Sequence, residues 1–139
     1  MKRRTFLAGA ASLFAGTATL GLLPETARAA TFVDYTPGAI KAALDAGKTV
    51  FVDYSAKWCT TCRRQKRVIN ALRSDNPAYD REMVFMLVDW DTYRRHEVTT
   101  SRNIPRRSTL LVLRGDNELG RIVAGTSQRR IKELMDKGL

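Results

Sequence analysis

The chain is short of the residues that build elaborate sites. Its 139 residues contain two cysteines and one histidine, and acidic side chains are scarce, with 14 Asp and Glu against 24 Lys and Arg. Two cysteines leave room for one structural bridge or one redox pair, and no more. The single histidine, His96, lies far from them in the sequence and reads as a surface residue. No internal repeat or low-complexity segment appears, and no recognised nucleic-acid motif accompanies the net charge of +10, so nucleic acid is not an expected partner. What the composition leaves is one small basic domain whose chemistry, if it has any, rests on two thiols.

The first 29 residues read as an address. Met1-Lys2-Arg3-Arg4 is positively charged, Thr5 to Leu23 carries no charge, and Ala27-Arg28-Ala29 offers the small-x-small pattern that a signal peptidase cuts after. Arg3 and Arg4 followed by Thr5-Phe6-Leu7 resemble a twin-arginine export signal, which implies folding before export. General secretion is a competing route, and an uncleaved anchor a weaker one, since the apolar stretch approaches the roughly 20 residues a membrane helix needs. Cleavage after Ala29 would place residues 30–139 in the periplasm with no stable membrane insertion. The loss of Lys2, Arg3, Arg4, Arg28 and Glu25 leaves 20 basic against 13 acidic residues, a net of +7. Such a balance favours acidic partners or anionic surfaces.

Residues 30–139 have the length of one domain. Thr31 to Tyr35 reads as a short strand, Thr36-Pro37 opens a helix ended by Gly47, and Lys48 to Tyr54 is an apolar run of the kind covered on both faces. A helix is expected from Cys59 to about Ser74, with Cys62, Ile69 and Leu72 inward and Arg63, Arg64, Lys66, Arg67 and Arg73 on the rest of its surface. Asp75-Asn76-Pro77 stops it. Met83 to Asp89 is a further strand, and Asp91 to Arg102 a polar segment with a short helix. Asp89 and Asp91 read as turn and cap residues, and Trp90 as packing. Ser108 to Arg114 and Glu118 to Ala124 form an antiparallel hairpin around Gly115-Asp116-Asn117, and Gly125-Thr126-Ser127 leads into a last helix, Gln128 to Lys137.

The two cysteines sit in one phrase, Trp58-Cys59-Thr60-Thr61-Cys62, directly after the buried strand. A bridge closing so small a loop removes little entropy from the unfolded chain, so stability is a weak reason for the pair. A thiol at the start of a helix is instead biased toward the nucleophilic thiolate, because unpaired N–H groups and the positive dipole end favour the charged form. Arg63, Arg64, Lys66, Arg67, Arg102, Arg106 and Arg107 read either as a basic rim that assists this and steers acidic substrates or as ordinary solvated charge. A second reading of the same thiols is a carrier for a soft metal such as Cu(I), against which stands the lack of a Met or His beside them.

Val52-Asp53-Tyr54 leading to Trp58-Cys59-Thr60-Thr61-Cys62, then Ile104-Pro105 ahead of a strand, then Gly115 through Gly125 and a final helix together resemble the thioredoxin fold. The resemblance spans essentially all of residues 30–139, and the basic helix after the cysteines is also similar to the soluble carboxy-terminal domain of DsbD. It implies an α/β domain with a central mixed sheet, a C-terminal antiparallel hairpin and flanking helices. It further implies a protein-disulfide oxidoreductase with no cofactor, monomeric, acting on disulfides of exported proteins and re-reduced by a membrane thiol donor.

Residue by residue, the resemblance implies an exposed nucleophile at Cys59, a buried resolving thiol at Cys62 and a redox disulfide between them. It implies a buried proton acceptor and donor at Asp53, a shielding tryptophan at Trp58, a substrate-binding backbone at Ile104, and a cis-proline against the sulfurs at Pro105 that also crowds out metal. Arg106 is expected to touch substrate. Two features depart from the family pattern: Thr60-Thr61 stands between the cysteines in place of Gly-Pro, and Met83 to Val88 offers no lysine to face Asp53. The second implies an Asp53 carboxyl raised strongly by burial. Ile104 before the proline, and the lack of room for an inserted helical domain, lean toward a reducing or correcting role.

Overall fold

The computed structural model describes residues 31–139; the expected signal segment and its cleavage site lie outside the described residues. Five strands form one sheet in the order β1-β3-β2-β4-β5, from β1 (Val33–Asp34), β2 (Thr49–Ser55), β3 (Met83–Asp89), β4 (Thr109–Arg114) and β5 (Asn117–Val123). β1, β3 and β2 run parallel, whereas β2, β4 and β5 pair antiparallel. This is the mixed sheet with a closing hairpin that the sequence predicts.

β2 is central, and all seven of its residues are buried. The alternation of a strand divides them between two cores. Phe51 faces a core built with Ile69, Leu72, Phe85, Ile131 and Met135, and Val50, Val52 and Tyr54 face one built with Ile40, Met86, Val98, Ile104 and Leu111. Complete burial of side chains of this size stabilises the fold by roughly 1.5–3 kcal/mol each. Asp53 shares the Phe51 face, so the one charged side chain of β2 is directed beneath the helix that carries the cysteines.

That helix is α2 (Thr60–Asp75), preceded by α1 (Ala39–Asp45) and followed by α3 (Ala78–Glu82). α3 is not anticipated by the sequence reading, which stopped at Pro77. Its presence corrects the placing of Arg73, which is 3 % exposed rather than solvated. α3 supplies Asp80, whose Oδ1 accepts from Arg73 Nε at 2.7 Å, and the guanidinium lies 4.1 Å from the centre of the Phe85 ring. A cation stacked on an aromatic face and paired with a carboxylate can be buried where a bare one cannot.

The polar stretch after β3 forms two short helices, α4 (Trp90–Tyr93) and α5 (Glu97–Thr100), rather than one. Asp89 caps the first by accepting from Thr92 N at 3.1 Å, and His96 caps the second by accepting from Val98 N at 3.2 Å. The last helix is α6 (Gln128–Asp136), with Ser127 at its N-cap. No helix among the described residues is long and apolar enough to cross a membrane.

Candidate active site

β2 ends at Ser55, and Cys59 is the N-cap of α2, with backbone still extended at φ −84° and ψ 111°. Its Sγ accepts a hydrogen bond from the backbone N–H of Cys62 at 3.1 Å. A sulfur in this place meets the donors that a helix start leaves unpaired, so negative charge on Cys59 is favoured by both the bond and the dipole. Cys59 and Cys62 are joined in a disulfide, with their Cα atoms 5.2 Å apart.

The resemblance implies an exposed Cys59, but the residue is only 3 % exposed, against 1 % for Cys62. Both pack with Ala56, and the aromatic ring packed against them is Trp90, read from the sequence as packing alone. Trp58 instead stands outward, 56 % exposed, its Nε1 donating to Asp91 Oδ2 at 2.9 Å while the Arg107 guanidinium stacks 4.3 Å from the ring centre. Asp91, given no chemistry from the sequence, thus orients the most exposed aromatic beside the site.

The Ile104-Pro105 assignment is corrected. Every described peptide bond is trans, Pro105 is exposed, and Ile104 is a core residue packed with the Tyr54 cluster. The residue against the sulfurs is Ser108, whose Oγ lies 3.2 Å from Cys59 Sγ and 3.1 Å from Cys62 Sγ. The reason is register. Tyr54 pairs with Thr109, and the Ser108 N–H donates to Tyr54 O at 2.7 Å, so the residue immediately ahead of β4 is fixed beside the end of the strand that leads to Cys59. Pro105 precedes that place by three residues. Counting back from the strand start would have found Ser108; the presence of a proline nearby drew the assignment to the wrong residue.

Gln65 is a second residue the sequence reading missed. It is fully buried on α2, and its Nε2 donates to Ser108 O at 3.0 Å and to Gly125 O at 2.9 Å, tying the cysteine helix to the loops that enter β4 and follow β5. Arg106, expected to touch substrate, is half-buried and turns its Nε to Arg107 O. Arg107, next to Ser108, is the basic residue that meets Trp58.

Asp53 is completely buried and neither carboxylate oxygen has a hydrogen-bond partner. Loss of water pushes its pKa up to about 7, and Lys66 pulls it back. The expectation of no cationic neighbour is therefore corrected: β3 offers none, but α2 does, from a residue read as surface charge. Lys66 also lines a cleft of about 550 Å³ whose walls include Ser55, Ala56, Cys62 and Tyr93. Replacing Lys66 with methionine is expected to move the Asp53 titration further upward, readable by NMR titration of the carboxyl carbon; an unchanged or lowered midpoint would contradict the coupling.

Residues 32–137 match the family described as Thioredoxin, which covers most of the chain. The chain belongs to the thioredoxin family. It is 29% identical over 82 residues to thioredoxin H5 of Oryza sativa subsp. japonica, an alignment that covers 59% of this chain and 56% of that protein, so it spans little over half of that relative's length. To the thioredoxin of Echinococcus granulosus it is 26% identical over 97 residues, covering 70% of this chain and 84% of the relative. Among solved structures it is similar to Trxlp from Edwardsiella tarda EIB202, with a TM-score of 0.63, 28% identity, and coverage of 73% of this chain and 96% of that one. The fold is that of thioredoxin, and Cys59–Cys62 is the redox disulfide of a thioredoxin-type thiol-disulfide oxidoreductase.

Proposed function

We propose that the protein reduces or corrects disulfides in exported proteins, in the periplasm, after a twin-arginine-type signal over residues 1–29 is removed. The observation that carries the chemical part is the bond from Cys62 N–H to Cys59 Sγ at the start of α2, which makes Cys59 the attacking sulfur. Its thiolate attacks one sulfur of the substrate disulfide, forming a mixed disulfide and displacing the other substrate sulfur as a thiolate, which takes a proton from solvent. Cys62 then gives its proton to the Asp53 carboxylate and attacks Cys59 Sγ. The mixed disulfide breaks, the second substrate thiolate leaves, and Cys59–Cys62 is left oxidised, having given up the two electrons the substrate has gained. A membrane thiol carrier returns the pair to the dithiol.

Asp53 serves this role because a carboxyl with a pKa of about 7 accepts a proton readily at neutral pH. Trp58 and Arg107 supply an exposed aromatic and a positive charge at the rim, suited to an acidic or aromatic polypeptide segment. Pro105 is exposed and away from the sulfurs, so it does not stand against a soft metal there. The Ser108 hydroxyl, however, occupies the space beside both sulfurs.

The test is reduction of insulin disulfides by the full chain. Cys59→Ser is expected to bring the rate down to that of the reductant alone, and undiminished turnover would refute the assignment. Expression in a Gram-negative host tests the address: a periplasmic product beginning at Ala30 is expected, and export lost on replacing Arg3 and Arg4 with lysine. A product retained in the cytoplasm at full length would refute it.

A further inference from the structure

Ser108 has its backbone fully engaged. Its N–H donates to Tyr54 O at 2.7 Å, and its carbonyl accepts from Ala124 N at 2.8 Å and from Gln65 Nε2 at 3.0 Å. The residue is wholly buried and held at φ +63°, in the left-handed region that non-glycine residues seldom enter. Such a conformation persists only where its surroundings over-determine it, and residues so held cluster at active sites. The side chain is thereby fixed with its hydroxyl within 3.2 Å of Cys59 Sγ and 3.1 Å of Cys62 Sγ. A proline in this place could offer the sulfurs no donor.

We propose that Ser108 is a third catalytic residue, whose hydroxyl donates a hydrogen bond to whichever of the two sulfurs carries negative charge. The inference rests on reading the pair as an exchanging dithiol, and it adds a determinant of the direction in which electrons flow. A disulfide sulfur is a weak acceptor and a thiolate a strong one, and bonds to an ionised partner are about twice as strong as neutral ones. The hydroxyl therefore stabilises the reduced, ionised pair more than the oxidised one. Two consequences follow from one cause: the Cys59 thiol is more acidic, and the pair is a weaker reductant than the same fold without the hydroxyl.

The placement between both sulfurs also serves each direction of exchange. In reduction, Cys59 thiolate attacks the substrate, and the hydroxyl holds that thiolate ready. In the reverse step, a substrate thiolate attacks Cys59 Sγ, the Cys59–Cys62 bond breaks, and the electron pair leaves on Cys62, which the same hydroxyl reaches without moving its backbone. A leaving thiolate of lowered basicity departs faster. Ser108 thus suits a protein that forms and breaks mixed disulfides repeatedly, the behaviour needed to correct wrong bridges, better than one that only reduces.

The experiment compares the full chain with Ser108→Ala and Ser108→Gly. Alanine removes the hydroxyl and keeps the Cβ; glycine also removes it and is at ease at a positive φ, so the fold is retained without strain. Two readouts are taken: the ultraviolet absorbance of the Cys59 thiolate against pH, and the equilibrium of the pair with reduced and oxidised glutathione. Both variants are expected to raise the Cys59 pKa by about one unit and shift the equilibrium about tenfold toward the disulfide, the scale of one charge-assisted bond. For a two-electron couple that tenfold is about 30 mV more reducing. If the glycine variant, folded by circular dichroism, keeps both values within twofold of the parent or moves them the other way, the role of Ser108 is overturned. Neither readout uses a protein substrate. A parent chain that fails to exchange with glutathione at all would refute the oxidoreductase reading itself, which is a different result.

Discussion

Cys62→Ser is expected to arrest the protein on its substrates as a covalent complex. The variant keeps Cys59 at the N-cap of α2, where the backbone N–H of residue 62 still donates to its sulfur, so the first attack proceeds. What is lost is the second attack, made by a thiol one helical turn away. Well-oriented intramolecular attack is equivalent to a local concentration of about 10⁵ M or more, and external thiols at millimolar levels do not approach it. Resolution should therefore slow by several orders of magnitude. Non-reducing gels of cells expressing the variant are expected to show a ladder of mixed disulfides that collapses on adding reductant and is absent from the Cys59→Ser,Cys62→Ser double variant. A single free monomer band would contradict the assignment of Cys59 as attacker and Cys62 as resolver.

Asp53→Asn is expected to stabilise the oxidised protein above neutral pH while slowing its turnover. In the folded protein the carboxyl titrates at about 7; in the unfolded chain it titrates near the ordinary value of about 3.9. Between these two values the folded state holds a proton that the unfolded state has released. Stability contributed by this group is therefore complete below pH of about 4, falls as pH rises toward 7, and levels off above it. Three pKa units correspond to roughly 4 kcal/mol, an upper figure for what asparagine recovers at pH 8, since its amide meets the same unpartnered surroundings. Urea unfolding at pH 4 and pH 8 checks this: the parent should weaken across that interval by several kcal/mol more than the variant. Equal pH dependence in the two would contradict burial of an ionisable Asp53. Resolution of mixed disulfides should slow in the same variant, most of all at pH 7 to 8, where the parent carboxylate is available as a base.

Much of the architecture was legible because the sequence separates its elements by period. β2, β3 and β4 are near-continuous apolar runs, the cysteine helix alternates at helical spacing, and turn residues bound β1 and β5; those patterns placed all five strands and both long helices within a residue or two. The misses share a cause, which is that tertiary partners decided them. α3 follows a proline that looked like a stop, and it is held by Asp80 on Arg73 and by the Tyr79 hydroxyl donating to Asp136. Lys66 read as surface charge because the buried acid it faces lies on a strand thirteen positions earlier. Ser108 was hidden in the same way: it is an ordinary serine made important by the pairing of Tyr54 with Thr109, while Pro105 carried the conspicuous residue type.

These particulars change what the site can be asked to do. Asp53, Lys66 beside it and the Ser108 hydroxyl between the sulfurs are three groups that bear on the thiol pair, and of these the sequence placed only Asp53 behind it. Thr60 and Thr61 form the first turn of α2, between Cys59 and the Cys62 N–H that donates to its sulfur. Reduction potentials of redox pairs in thioredoxin and its relatives extend from about −270 mV to about −120 mV, whereas structural disulfides of secreted proteins lie below about −300 mV.

The direct measurement is the redox titration of Cys59–Cys62 in thiol-disulfide buffers, with the thiols trapped by alkylation at each poise. The account predicts one two-electron transition, both cysteines together, with a midpoint between about −270 and −120 mV. A midpoint below about −300 mV, or a disulfide that does not equilibrate with the buffer, would show a structural bridge and contradict it.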